Sequence, residues 1–267
     1  MAPGLLLAAF FGALVQRISG LGFGIAVSGF SLAVYDPFTA VYMSAIIGLG
    51  VAVITTIQMW RHVVWSVVWP PVLPIVLFML IGFTLAYWTG GQPLVRAGFQ
   101  TLGLFSIALV LKTYVFPRVR TQTPSQDPSQ TRAQNPAIAH PWIGGSLTGF
   151  LSGTVGAPGP TITPYFTARN IVGAAFVASI TPVFALTAAT RIAIGSGTGF
   201  SQQDLHIALL GAVLAVAGVF VGAQIAPHIS NQRQRQLIVG LIVLSGIRLT
   251  YALTSGLWDY FREASIA

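Results

Sequence analysis

Two stretches of this chain carry the residue types that a buried anion would need. One is Ser19-Gly20-Leu21-Gly22-Phe23-Gly24, followed by Ser28-Gly29; the other is Ser152-Gly153-Thr154-Val155-Gly156-Ala157-Pro158-Gly159-Pro160, followed by Thr163-Pro164. Each interrupts a long apolar segment with residues that disfavour a continuous helix. Backbone amides freed at such a break cannot stay unpaired in lipid, so they must face protein, water or a ligand. A half-helix that starts at membrane depth presents free N–H groups and the positive end of a dipole, which is an anion-binding arrangement. Two breaks at equivalent positions outline a central site. Its candidate ligands are the amides around Gly20, Gly22, Gly24, Gly153 and Gly156 and the hydroxyls of Ser19, Ser152 and Thr154. The plainer alternative is that these glycines serve only close packing and kinks.

The charges sharpen this reading. The chain has only 5 Asp+Glu, and Asp36, Asp127, Asp204, Asp259 and Glu263 all fall at segment ends, in a linker or in the tail. No carboxylate is therefore expected in the interior, and a cation-coupled pathway would lack its usual relay. Arg17 stands just before the first break, and Arg191 lies inside the sixth apolar segment. Each is costly at depth unless compensated, and a guanidinium is a permanently charged fork suited to oxyanions. Capping of helix carbonyls by Arg17 and snorkelling of Arg191 are the competing roles. Gln58 falls at the position equivalent to Arg191 under the internal repeat described below, and its amide is a further candidate ligand or an interfacial neighbour of Arg61. The four histidines lie near segment ends without metal-ligand spacing, and the chain has no cysteine. No metal, cofactor or catalytic constellation is expected.

The elements that must position these residues are membrane helices. Only 7% of the 267 residues are charged, 54% are hydrophobic, and mean hydropathy is +0.79, a composition from which no soluble surface can be built. The net charge of +8 is scattered rather than gathered on one face, so lipid headgroups, not nucleic acid, are its expected partner. Apolar segments fall at about residues 4–34, 38–59, 64–88, 97–116, 141–167, 171–196, 205–226 and 236–254. The expected architecture is an all-α integral membrane protein. It has about eight transmembrane helices in two four-helix repeats, 1–116 and 141–267, with the first and fifth broken or re-entrant. The Pro- and Gln-rich stretch 117–140 reads as a disordered polar linker.

Displacing the first half by 133 positions brings Gly12 onto Gly145, Ser19-Gly20 onto Ser152-Gly153, Ala52 onto Ala185 and Gln58 onto Arg191. An even number of spans per half implies parallel repeats, whereas re-entrant Gly-rich segments imply inverted ones. Gly82-x-x-x-Ala86 and Gly218-x-x-x-Gly222 have the spacing of close helix packing. The arginines divide too evenly between the two sides to fix an orientation.

Two four-helix halves joined by a polar loop, with GLGFG at Gly20 to Gly24, GTVGAPGP at Gly153 to Pro160 and Pro164-Tyr165-Phe166 after it, resemble the sulfite exporter TauE/SafE family. The first half has Ser28-Gly29-Phe30 where relatives often carry a proline. The resemblance implies a multi-pass carrier in the bacterial inner membrane for a small sulfur-containing anion, sulfite or an organosulfonate. The residues themselves point to an anion without naming it. Alternatives are a passive anion channel, a membrane-embedded enzyme or an assembly factor. Homodimerisation is compatible with a bundle of this size.

Overall fold

A computed structural model of the chain describes residues 2–89, 140–195 and 201–229, apart from positions 33, 36, 157, 170 and 172, together with isolated residues of 101–108 and 236–254. The fourth and eighth apolar segments and the linker fall almost wholly outside the described residues. Every described element is helical. They are α1 (Ala2–Ser19), α2 (Phe23–Leu32), α3 (Pro37–Gln58), α4 (Trp65–Val68), α5 (Val72–Thr89), α6 (Pro141–Val155), α7 (Gly159–Thr167), α8 (Gly173–Gly195) and α9 (Gln202–Ile225). Phe38–Gln58, Gly173–Gly195 and Gln202–His228 are long and apolar enough to cross a membrane, and Pro3–Ser19 and Val72–Leu85 are shorter apolar helices.

The first apolar segment is indeed broken. At Gly20 (φ 78°) and Gly22 (φ 120°) the backbone enters a region that side-chain-bearing residues rarely adopt, and α1 gives way to α2. The chain doubles back there: Gly4 faces Phe30, while Gly12 lies against Phe23 and Ala26. The fifth segment breaks at Gly156 (φ 73°), which ends α6, and resumes as α7.

Close contacts fix the helix directions. Along α9, Gly211 meets Ile47 and Val216 meets Gly50, while Gly218 meets Phe10 and Gly222 meets Leu14 and Arg17, so α1, α3 and α9 run the same way. Along α6, Gly145, Gly149 and Gly153 meet Pro74, Ile75 and Met79 in turn, so α5 and α6 run together. Phe38 near the start of α3 packs on Phe83 and Tyr87 near the end of α5, which makes α5 antiparallel to α3. Ser44 pairs with Arg191 and Thr56 with Thr181, so α8 is antiparallel to α3. Finally, α7 starts beside Leu21 and Phe184 and rises until the Tyr165 hydroxyl donates to the Val67 carbonyl at 3.0 Å, with Arg169 over the Tyr165 ring.

Small residues make these approaches possible. A Cβ at Gly218 would strike the Phe10 carbonyl, one at Gly82 would lie 2.6 Å from the Phe150 carbonyl, and one at Gly149 would strike the Ile75 carbonyl. The small-residue motifs therefore serve packing: Gly218-x-x-x-Gly222 seats α1, and Gly82 seats α6. The short connection from α3 to α5 carries Trp60, Trp65 and Trp69, the first two rings tilted at 4.7 Å and the last two stacked at 6.1 Å, with Arg61 and His62 in the same connection. That is the composition of a membrane–water interface.

Replacing Gly149 by alanine sets a Cβ against backbone that cannot yield, a change expected to cost about 1–3 kcal/mol. The melting temperature in detergent should fall clearly. Gly4→Ala, which meets only the Phe30 ring at 3.5 Å, should leave it unchanged.

Candidate functional site

Both breaks open onto one pocket. It holds about 480 Å³ of non-atom space, mouth included, and lies where the first turns of α2 (Phe23, Gly24) and α7 (Gly159) meet α1, the middle of α3 and the C-terminal third of α8. The α2 ladder begins with the Ala26 amide donating to the Gly22 carbonyl at 2.9 Å, so the preceding N–H groups of the first turn have no partner within the helix. In α7 the corresponding first bond runs from the Ile162 amide to the Pro158 carbonyl. The starts of two half-helices thus face the same space, α2 with the amides of its first turn and α7 with that of Gly159, since Pro158 and Pro160 have none.

Arg191 supplies the charge. It is 4% exposed, and its Nε donates to the Thr187 carbonyl at 3.2 Å, which lays the side chain back along its own helix. Its Nη1 reaches across to the Ser44 hydroxyl of α3 and the Ser152 carbonyl of α6, each at 3.4 Å. These bonds are long, and none goes to a carboxylate. Among the described residues the one acid is Asp204, which starts α9 and bonds Ser201. A guanidinium buried among neutral acceptors is only partly compensated, and its surroundings favour an anion.

Gly156 completes the cradle. A Cβ there would lie 2.7 Å from the Ser44 Oγ, 3.0 Å from the Ser28 Oγ and 3.2 Å from Arg191 Nη1, so polar groups from α2, α3 and α8 converge on one glycine. Ser28 is buried and its hydroxyl has no hydrogen-bond partner. Leu21, Phe23, Pro158, Phe184 and Ala188 form the apolar remainder of the wall.

Of the residues singled out in the sequence, Gly22, Gly24, Gly156 and Arg191 line the pocket, and Ser152 touches Arg191 through its carbonyl. The Ser152 hydroxyl is itself buried without a partner. The others are placed elsewhere. Ser19 holds the first break together, its Oγ bonding the Val15 and Leu21 carbonyls and accepting from the Leu21 amide. Gly20 packs on Phe176 and Val177, Gly153 on α5, and Thr154 donates to the Phe150 carbonyl at 2.9 Å. Arg17 and Gln58 pair with each other, Nε to Oε1 at 3.0 Å, outside the pocket lining.

Three contributors had no part in the sequence-derived set: Gln16, Ser28 and Ser44. Ser28 stands in the expected break, but Gln16 and Ser44 are lone polar residues on apolar helices. Only the crossing of α1, α3 and α8 gives them company.

The profile of one protein family, described as Sulfite exporter TauE/SafE, matches residues 5–249. No curated protein and no solved structure matches the chain.

Gly156→Ala places a methyl group amid Ser28, Ser44 and Arg191 at a backbone conformation that costs a side-chain-bearing residue about 1–2 kcal/mol. Membrane insertion should persist while anion binding to the purified protein, measured by titration calorimetry, falls at least about tenfold. Unchanged affinity would place the ligand away from this cradle.

Proposed function

The chain belongs to the sulfite exporter TauE/SafE family, and from that premise we propose that it is a secondary transporter moving a small sulfur-containing anion across the inner membrane, with the pocket at Arg191 as its binding site. The observation that carries this reading is the buried guanidinium, unopposed by any acid among the described residues and set beside the starts of two half-helices. A tetrahedral or pyramidal oxyanion accepts from a guanidinium, hydroxyls and backbone amides at once, and this pocket offers all three.

The helix directions supply the rest of the reading. In order, α1, α2, α3 and α5 run opposite to α6, α7, α8 and α9, which is the pattern of two repeats related by an axis in the membrane plane. On this view the polar stretch 117–140 joins the two repeats. Re-entrant Gly-rich segments are what invert them. The pocket lies at their junction, with one break from each half, and this is where inverted-repeat carriers hold substrate at the membrane midplane while the halves rock around it.

Arg191 and Arg17 then have different duties. Arg191 is the counter-charge of the bound anion. Arg17, tied to Gln58, stands at the end of α1 where an anion passes on its way to or from the aqueous phase. In proteoliposomes, Arg191→Gln should lower uptake of sulfite and of methanesulfonate at least about thirtyfold, the loss expected when one side of a buried charge pair is removed. Arg17→Ala should cost only a few-fold. Undiminished flux in Arg191→Gln would remove the proposed site, and flux that does not saturate with substrate would replace the carrier with an anion channel.

A further inference from the structure

Gln16 is the pocket residue whose chemistry is least accounted for. It is 2% exposed and lines the pocket, and its side-chain amide makes no hydrogen bond to another described residue. The amide is not among the fully enclosed unpartnered groups, so it opens on the pocket space, where water or a ligand can satisfy it. Gln16 precedes Arg17 on α1, yet the two part company: Arg17 turns to Gln58, and Gln16 faces the pocket.

The charge balance of the pocket follows. Among the described residues of its lining, Arg191 is the one with a formal charge. The first turns of α2 and α7 add oriented amides, whose influence fades within a turn. The desolvation cost of an ion grows as the square of its charge, so a dianion pays about four times what a monoanion of equal size pays. Its attraction to a single fixed charge only doubles. Leu21, Phe23 and Phe184 offer no means of hydrating the excess.

We propose that this pocket selects monovalent sulfur oxyanions, hydrogensulfite or a sulfonate, over the divalent sulfite or sulfate, and that Gln16 is the residue that sets this valence. Arg191 neutralises the anion, and the Gln16 amide donates to a further oxygen while adding no charge. The proposal rests on the pocket being the transport site. It also gives the proton a carrier: hydrogensulfite brings its own, so the protein needs no interior carboxylate to move it.

Methanesulfonate and sulfate provide the test, because they share a tetrahedral shape and differ in valence at neutral pH. Their dissociation constants are measured by titration calorimetry on the purified full chain in detergent with gluconate as the background anion. The wild type should bind methanesulfonate at least tenfold more tightly than sulfate. Gln16→Glu, nearly isosteric, should weaken methanesulfonate at least tenfold at neutral pH and regain it on acidification, when the carboxyl becomes neutral. Gln16→Arg should narrow or reverse the preference; if that variant elutes as aggregate, Gln16→Glu decides alone. Sulfate binding as tightly as methanesulfonate in the wild type, or an unchanged ratio in the Gln16 variants that fold, overturns the proposal. Arg191→Gln separates the two levels. If it loses both anions while the Gln16 variants keep the wild-type ratio, the site stands and its valence rule falls. If Arg191→Gln binds both as before, or the wild type binds neither, the site itself is wrong.

Discussion

One positive charge, buried in the lining of a pocket and met by no acid among the described residues, governs this structure. Arg191 is nine-tenths buried and more, and its hydrogen bonds go to a carbonyl of its own helix, a serine hydroxyl and a second carbonyl. Neutral acceptors can orient a guanidinium, but they do not cancel its charge. The surrounding features are arranged about that charge. Two half-helices, α2 and α7, begin at the pocket, while α1 and α6 end at the same breaks and the Ser152 carbonyl of α6 takes one of the guanidinium's bonds. Gly156 withholds the side chain that would fill the space between Ser28, Ser44 and the guanidinium.

A second constraint serves the first. Bringing α2, α3, α7 and α8 to one small space requires helices to approach within backbone contact, and the glycines at 82, 149, 153, 218 and 222 permit this on the outer seams. Lipid gives little hydrophobic incentive for helices to associate, so this packing is the main source of cohesion. The precision of the pocket thus depends on residues far from it. Ser19 and Tyr165 act similarly at shorter range: one pins the first break, and the other anchors the half-helix that follows the second.

Much of this was legible in the sequence because its cause is local. Glycine and proline clusters at Gly20–Gly24 and Gly156–Pro158 mark the breaks, since glycine tolerates the positive φ found at Gly20, Gly22 and Gly156 and proline cannot continue a preceding helix. Scarcity of acids together with an interior arginine is what suggests the sign of the proposed ligand. What was not legible depends on helices meeting. Nothing in the spacing of Gln16 or Ser44 distinguishes them from polar residues that merely bond their own helix, as Thr148 and Thr190 do. The choice between Arg17 and Arg191 was equally hidden. Both precede or occupy apolar helices, and only the partner that each meets, Gln58 for one and Ser44 for the other, separates an outer residue from a buried one. The proposed inversion of the halves turns on a point the sequence left open, the direction taken after each Gly-rich break; α2 runs back along α1.

The exchange of partners between the halves bears on how the chain reaches this state. α1 lies along α9, and α5 along α6, so the first helix to leave the ribosome finds its glycine-matched neighbour only after some two hundred further residues have been made. Contacts of such long sequence separation form late. During synthesis α2 can cover one side of α1 and Gln58 can meet Arg17 early, but the α1 face that meets Gly218 and Gly222 waits for α9. The first helix therefore has its full set of neighbours only once α9, near the other end of the described residues, is in place.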